Sequence, residues 1–238
     1  MARINLWSSP RNVSTALLYS FAQRADTYVV DEPLYAHYLT HQPTTAAHPG
    51  RAAILASQNN DGAQVVRHLL THAYPAPHVV FKQMTHHLVA LDTGFLTQMK
   101  NVLLIREPRA ILASFTKVVD EVRAEDIGLP QQHALFHELR RSGHLHAVLD
   151  SRRLLLDPAE QLRLLCDRLD LPFDKAMLHW PAGPRPEDGV WAPHWYANVH
   201  RSTGFRPYRE KTHQLPPPLA RVAEDVAPLY TELLEAAL

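Results

Sequence analysis

The sequence predicts a three-layer α/β fold, a central parallel sheet of about five strands flanked by helices, and three observations carry that expectation. Short, nearly unbroken apolar runs recur along the chain, as strands covered on both faces require. Most are followed by apolar residues at helical spacing, and strands alternating with helices over about 170 residues favour parallel pairing with right-handed crossovers. Polar residues also gather just past the carboxyl ends of those runs, which is where such sheets bind ligands: Ser8 to Arg11, Glu32, Lys82 to His87, and Arg106.

The first run, Ile4 to Trp7, breaks at Ser8, Ser9 and Pro10, and helical spacing takes over at Val13, Ala16, Leu17, Ser20 and Phe21. Strand, tight loop and helix are expected, with Ser9 as N-cap and Pro10 at the first helical position, where a missing N–H costs nothing. A helix entered from a buried strand aims unpaired N–H groups and a partial positive charge at one spot. Arg11 and the hydroxyls of Ser8, Ser9, Ser14 and Thr15 add donors there, so the natural guest is a phosphate or a sulfate. The loop holds neither Gly nor Lys, so the phosphate-binding pattern G-x-x-x-x-G-K-[ST] is absent.

TYVV at 27 to 30 is the second strand; it runs into DEPLY, with Glu32 just past its end and Pro33 barring direct continuation into a helix. Residues 40 to 60, rich in Pro, His, Thr and Asn, read as a surface excursion, and a helix near Asp61 should turn Val65, Val66, Leu69 and Leu70 inward. HVVFK at 78 to 82 is the third strand and NVLLIR at 101 to 106 the fourth. The helix EPRAILASFTKVV then has Pro108 in its first turn and Ile111, Leu112, Phe115, Val118 and Val119 on its buried face. HAVLDS at 146 to 151 is the fifth strand, and Asp157 caps the helix that Pro158 opens. From 180 to 218 Trp, Tyr and Arg lie among eight prolines. A loop of that length is a functional cover or a disordered tail, and the aromatic content favours the cover. A last helix, about Leu219 to Ala237, packs on the sheet, and residues 1–238 form one domain.

Composition narrows the function. Lys plus Arg, 24, equals Asp plus Glu, 24. No global field therefore draws nucleic acid or an anionic membrane, and attraction for phosphate must come from a local cluster. Cys166 is the one cysteine, which excludes intrachain disulfides and thiolate metal clusters and places it in the core. Without a leader-like N-terminus or an 18-residue apolar span, a soluble cytoplasmic protein with no membrane insertion is expected. The 16 histidines are read as surface and loop residues, since they are scattered and HxxxH or HExxH spacing on a convincing helix is missing; no metal is expected.

The loop at 8 to 15, followed by Arg106 at a strand end and Ser114 eight residues later in IREPRAILASF, resembles the sulfotransferases that use 3'-phosphoadenosine-5'-phosphosulfate (PAPS). VLDSRRLLLDPAEQLRLLCDRLDLPF is similar to that family's late strand and following helix. HRSTGF at 200 to 205 is similar to its basic, glycine-containing loop. The likeness is to bacterial and carbohydrate-type members and implies their P-loop-hydrolase-like fold. It further implies that Arg11 contacts the transferring sulfonate, while Ser9, Asn12, Val13, Ser14 and Thr15 supply backbone and hydroxyl donors. Arg106, Ser114 and Arg201 would hold the 3'-phosphate. Arg106 offers a planar fork of donors and Ser114 a hydroxyl on the same side. The base is Glu32, which resembles the glutamate of carbohydrate-type enzymes, or His86, which resembles the histidine of cytosolic ones; the spacing favours Glu32. Transfer is then in-line displacement at sulfur with no metal, releasing adenosine 3',5'-bisphosphate (PAP). The acceptor is a small-molecule or carbohydrate hydroxyl, or an amine, held by residues 34 to 60, the segment after Lys82 and the aromatic cover. Oligomeric state is open, a homodimer included.

Asn12 and Val13 stand where many sulfotransferases have glycine, and Ser202 where lysine is common. Two other readings compete. One is a sulfotransferase-like anion-binding protein without transfer activity. The other is a P-loop kinase, which needs a loop lysine and an acidic magnesium ligand where this chain has Arg106.

Overall fold

The protein is described from a computed structural model covering residues 2–41, 48–115, 124–211 and 213–238. The chain enters through β1 (Ala2–Ser8), α1 (Ser14–Phe21), β2 (Thr27–Asp31), α2 (Tyr35–His41), α3 (Arg51–Ser57) and α4 (Gly62–Thr71). It continues through β3 (His78–Met84), β4 (Lys100–Ile105), α5 (Pro108–Phe115), α6 (Leu129–Ser142), β5 (Leu145–Asp150), α7 (Ser151–Leu156) and α8 (Pro158–Arg168). Two single-turn helices, α9 (Ala192–Trp195) and α10 (Ala197–His200), precede the long α11 (Pro217–Glu235).

The five strands are all parallel in the order β2-β3-β1-β4-β5. Period-two alternation sorts their side chains onto two faces. Trp7, Val79, Phe81, Leu103 and Val148 pack under α4, α5, α6 and α11, whereas Ile4, Leu6, Val29, Val80, Leu104 and Leu149 pack under α1, α7 and α8. Three layers result, as expected, and Cys166 is fully buried in the second cluster. A third cluster joins Tyr35 and Leu39 of α2 and Ile54 of α3 to Trp191 and Tyr196.

The strand order decides which loops meet. Ser8 of central β1 sits beside Met84 of β3 and Leu104 of β4, and Asp31 sits beside Lys82. Whatever follows these positions shares one edge.

Several expectations hold in detail. Asp61 caps α4, accepting from the N–H groups of Ala63 and Gln64, with Val65 and Leu69 buried. Asp157 caps α8 through the Glu160 N–H, and Pro158 opens the helix. Others need correction. Ser9 does not cap α1: the helix begins at Ser14, after a turn through Pro10 and Arg11 in which Arg11 takes φ +57. Asn12 shapes that turn, its Oδ1 accepting from Val13 N–H (2.8 Å) while its Nδ2 donates to the Leu104 carbonyl (3.0 Å). Within 40 to 60, α3 buries Ile54 completely, so part of the excursion is core. Val118 and Val119 lie outside the described residues.

HxxxH spacing does sit on helices, contrary to expectation: His37 and His41 on α2, His68 with His72 at the end of α4, and His133 and His137 on α6. The 180–218 segment is tied together by α9 and α10, by an antiparallel bridge between His179 and Gly204, and by the Trp180 Nε1 bond to Ser202 Oγ at 3.1 Å. Gly204 is required there, because a Cβ would come within 2.9 Å of the Leu178 carbonyl.

Candidate active site

The turn between β1 and α1 and the end of β4 meet, because β1 and β4 are paired neighbours. The Arg106 guanidinium donates to the Arg11 carbonyl. Arg11 Nε in turn donates to Ser114 Oγ at 3.0 Å. The Leu104 carbonyl, which a sheet end would leave open, accepts from Asn12 and from Gln132 of α6 (2.9 Å) and so fixes the turn to the sheet. Burial pulls both guanidinium groups below their ordinary pKa, and for Arg106 the adjacent Arg11 charge adds to the effect. Neither makes a salt bridge to a carboxylate among the described residues. Two half-buried guanidinium groups thus lie close together, each disfavoured by burial, with Glu107 offsetting part of the effect on Arg106.

The ends of β2 and β3 build the other half. Glu32 has φ +40, a left-handed conformation that turns the chain from β2 into the Pro33 corner before α2. Its backbone is clamped on both sides, its N–H donating to the Lys82 carbonyl (2.9 Å) and its carbonyl accepting from Gln58 of the 40–60 segment (3.0 Å). Lys82, 1 % exposed inside β3, points its ammonium at Glu32 Oε1 (2.6 Å), Asp31 Oδ1 (2.9 Å) and the Tyr196 hydroxyl (2.6 Å). Tyr196 donates to Asp31 Oδ2 at 2.6 Å and accepts from Trp191 Nε1 at 3.0 Å.

Burial pushes the Glu32 carboxyl above its ordinary pKa, against the pull of Lys82 and together with the push of Asp31. Burial alone would lower Lys82, but the two carboxylates outweigh it and hold the ammonium above its ordinary value. Glu32 keeps 8 % of its side-chain surface and lines the cleft.

Between these halves lies a cleft of about 1500 Å³. Its walls include Arg11 through Thr15, Glu32, His86, Arg106 and Ser114. Ser9 is fully buried behind the turn. Arg201 does not join them: it is exposed, donates to Asn198 Oδ1 at 2.9 Å and is not among the lining residues. His86 does line the cleft, with Tyr38 and His87 against its ring and its buried Nδ1 without a hydrogen-bond partner among the described residues. Burial, with His48 adding a little, pushes its pKa down to about 3. His87 lies stacked between Tyr35 and Tyr38, at ring-centroid distances of 4.9 and 4.8 Å.

Residues not singled out from the sequence complete the cleft. Arg109, Arg152, Arg206, Arg209 and Lys211 join Arg11, Lys82 and Arg106 on its walls, against the carboxylates of Glu32, Glu107, Asp126 and Glu210. A neutral chain thus carries a locally cationic cleft. Lys82, already named at the end of the third strand, carries a further signal: a lysine at a strand position in phase with buried Val80 has to be paired. For Tyr196, in a stretch without periodicity, we find none.

The family model of a sulfotransferase domain matches residues 2–226. Two proteins of Arabidopsis thaliana are similar over almost the whole chain. Branched-chain-amino-acid aminotransferase-like protein 1 is 40 % identical over 231 residues, 97 % of this chain, and branched-chain-amino-acid aminotransferase-like protein 2 is 37 % identical over 234 residues, 98 % of it. The chain spans about two fifths of the length of those relatives, 41 % of each. Among solved structures, the sulfotransferase domain from the curacin biosynthetic pathway is similar at a TM-score of 0.58 and 18 % identity, over 97 % of both chains. A sulfotransferase from Alicyclobacillus acidocaldarius is similar at 0.57 and 14 %, over 98 % of this chain and 96 % of that one. A mouse sulfotransferase complexed with PAP is similar at 0.52 and 11 %, over 98 % of this chain and 84 % of that one. At these identities the solved structures speak for the fold.

Proposed function

We propose that this chain, which belongs to the sulfotransferase family, transfers the sulfonate of PAPS to a hydroxyl or amine of a small acceptor. The observation that carries the reading is the contact of Arg11, Arg106 and Ser114 in one cleft, two cations and a hydroxyl without a carboxylate partner among the described residues. The mouse structure complexed with PAP supports the choice of donor.

In this reading Arg106 and Ser114 hold the 3'-phosphate, and Arg11 faces the sulfonate and the 5'-phosphate oxygen that leaves. The acceptor oxygen attacks sulfur, the bond from sulfur to the phosphate oxygen breaks, and PAP departs with the electron pair of that bond. The acceptor proton goes to Glu32. One guanidinium at ~4 Å and an effective dielectric near 20 favours an anion by roughly 4 kcal/mol, so Arg11 supplies a large part of the charge stabilisation. Glu32 suits the base better than His86. A carboxyl raised by burial takes a proton more readily, whereas an imidazole whose conjugate acid has a pKa of about 3 is a weak acceptor.

Arg201 has no part in this assignment; Arg206, from the same loop, lines the cleft in its place. The acceptor lies between Glu32 and the aromatic wall of Tyr35, Tyr38 and Trp195. We place the protein in the cytoplasm, which the lone buried Cys166 fits; no helix among the described residues is long and apolar enough to cross a membrane.

The test is sulfonate transfer from labelled PAPS to a panel of acceptors, with Glu32→Gln alongside. PAP is expected to stabilise both proteins while only the wild type transfers. PAP binding without transfer by the wild type would establish the binding-protein alternative, and stabilisation by ATP with magnesium but not by PAP would overturn the reading.

A further inference from the structure

Away from the cleft, on the face where α6 packs against α11, His133 and His137 project one turn apart toward Glu232. His133 Nε2 lies 2.6 Å from Glu232 Oε2, His137 Nε2 lies 3.2 Å from Glu232 Oε1, and the two Nε2 atoms are 3.2 Å apart. The side chains are 21, 45 and 42 % exposed for His133, His137 and Glu232, so an ion can reach them from solvent.

We infer that His133, His137 and Glu232 form a site for a divalent transition metal of the zinc class, one that clips α6 to α11. The donor set is right: two imidazole nitrogens and a carboxylate select Zn²⁺, Co²⁺ or Ni²⁺ over Mg²⁺ and Ca²⁺ and leave a fourth position to water. So is the spacing. Ligand bonds of about 2.05 Å in a tetrahedron put donor atoms about 3.3 Å apart. The two Nε2 atoms stand within about 0.1 Å of that value; the contacts to Glu232, 2.6 and 3.2 Å, run to different oxygens of the carboxylate, so a single ligating oxygen requires that group to turn.

Each neutral imidazole offers either a proton or a lone pair at Nε2. An N–H on each ring can serve one oxygen of Glu232, but the two Nε2 atoms, 3.2 Å apart, then face each other donor to donor, whereas one cation serves all three side chains. The other helical histidine pairs lack these features. His37 has both ring nitrogens engaged, with the Gly62 N–H and the Val89 carbonyl. His68 and His72 stack face to face, and no third ligand converges on them among the described residues.

Chelator-treated protein of residues 1–238, titrated with Zn²⁺ and Co²⁺ by calorimetry and visible absorption, tests the assignment. One equivalent should bind, and Co²⁺ should give the strong visible bands of tetrahedral coordination. His137→Ala and Glu232→Gln, both at half-exposed positions, should each weaken binding at least about tenfold, while His41→Ala and His72→Ala should not. At a hundredfold excess over its dissociation constant, Zn²⁺ should raise the thermal midpoint by about 5 °C or more, a shift that His137→Ala should lack. Failure to bind Zn²⁺ overturns the site, as does binding that survives His137→Ala or that Mg²⁺ displaces equally well. None of these readouts depends on sulfonate transfer.

Discussion

Among the described residues, two of the four non-glycine residues with positive φ are Arg11 and Glu32, and both line the cleft. A left-handed L-residue costs about 1 to 2 kcal/mol, and the fold tolerates it where the side chain has to be aimed. Arg11→Gly and Arg11→Ala lose the same charge but differ in backbone cost. The Gly variant should be the more stable by about 1 kcal/mol in urea unfolding, while both lose on the order of a hundredfold or more in kcat/KM. Glu32→Gln should lower kcat by about 10² to 10⁴. Since burial raises the Glu32 carboxyl, wild-type activity should fall as pH drops through a value above the ordinary carboxylate range, and that acid limb should be missing from the residual activity of Glu32→Gln. Arg201→Gln, at an exposed position where the arginine bonds to Asn198, should change PAP affinity less than about twofold, against at least about tenfold for Arg106→Gln; the charge at 4 Å sets the second figure. The HRSTGF likeness named Arg201, whose side chain stays outside the cleft, while Arg206 just after it lines the wall, because a string of residues does not say which side chains of an irregular loop face inward.

At the scale of elements, the strands were legible because a parallel strand must be apolar on both faces, and the caps of α4 and α8 because Asp61 and Asp157 have one local job. The helix α6 was not legible: His, Gln, Glu and Arg crowd its sequence, and its buried stripe of Leu135, Phe136 and Leu139 is short. At the ends of β2 and β3, Glu32 and Lys82 were visible from sequence, but their joining through Asp31 and Tyr196 was not. Lys82→Met leaves Asp31 and Glu32 buried without their cation, which costs roughly 3 to 5 kcal/mol. Glu32→Gln in the same chain should restore part of that loss, a coupling that a double-mutant cycle in urea would measure.

The turn after β3 makes a pH prediction. His86 is held near pKa 3 when folded and returns to about 6.5 when unfolded, so the unfolded chain binds more protons between those values. Its contribution to stability is therefore complete above pH 6.5 and is lost as pH falls toward 3, with a slope approaching 1.4 kcal/mol per pH unit. His86→Phe keeps a ring against Tyr38 and should make the urea-derived stability shallower by one proton over that window. An unchanged slope would place the titration elsewhere.

For the molecule as a whole, a formal charge of zero was readable at once, and so was its corollary that anion attraction has to be local. The strand order supplies the locality: the five strands are parallel with β1 between β3 and β4, so residues that follow each of the five, Arg11, Glu32, His86, Arg106 and Arg152, line one cleft, and the 180–218 segment contributes Arg206 and Arg209. Which basic residues these would be was hidden in a stretch without periodicity. Charge confined to one cleft has a measurable signature. At 0.15 M salt the screening length is about 8 Å, so cations lining the cleft act on a bound bisphosphate while those across the molecule do not. PAP affinity should therefore weaken as salt rises from 0.05 to 0.5 M. Removing one cleft cation with Arg209→Gln should lower the affinity and flatten the dependence. Arg163→Gln on the exposed face of α8, where Glu160 and Asp167 already neutralise the arginine, changes the net charge by the same amount and should alter neither quantity. Equal effects from the two substitutions, read by calorimetry at each salt concentration, would mean that the whole-protein field attracts the ligand and that the cleft has no special claim on it.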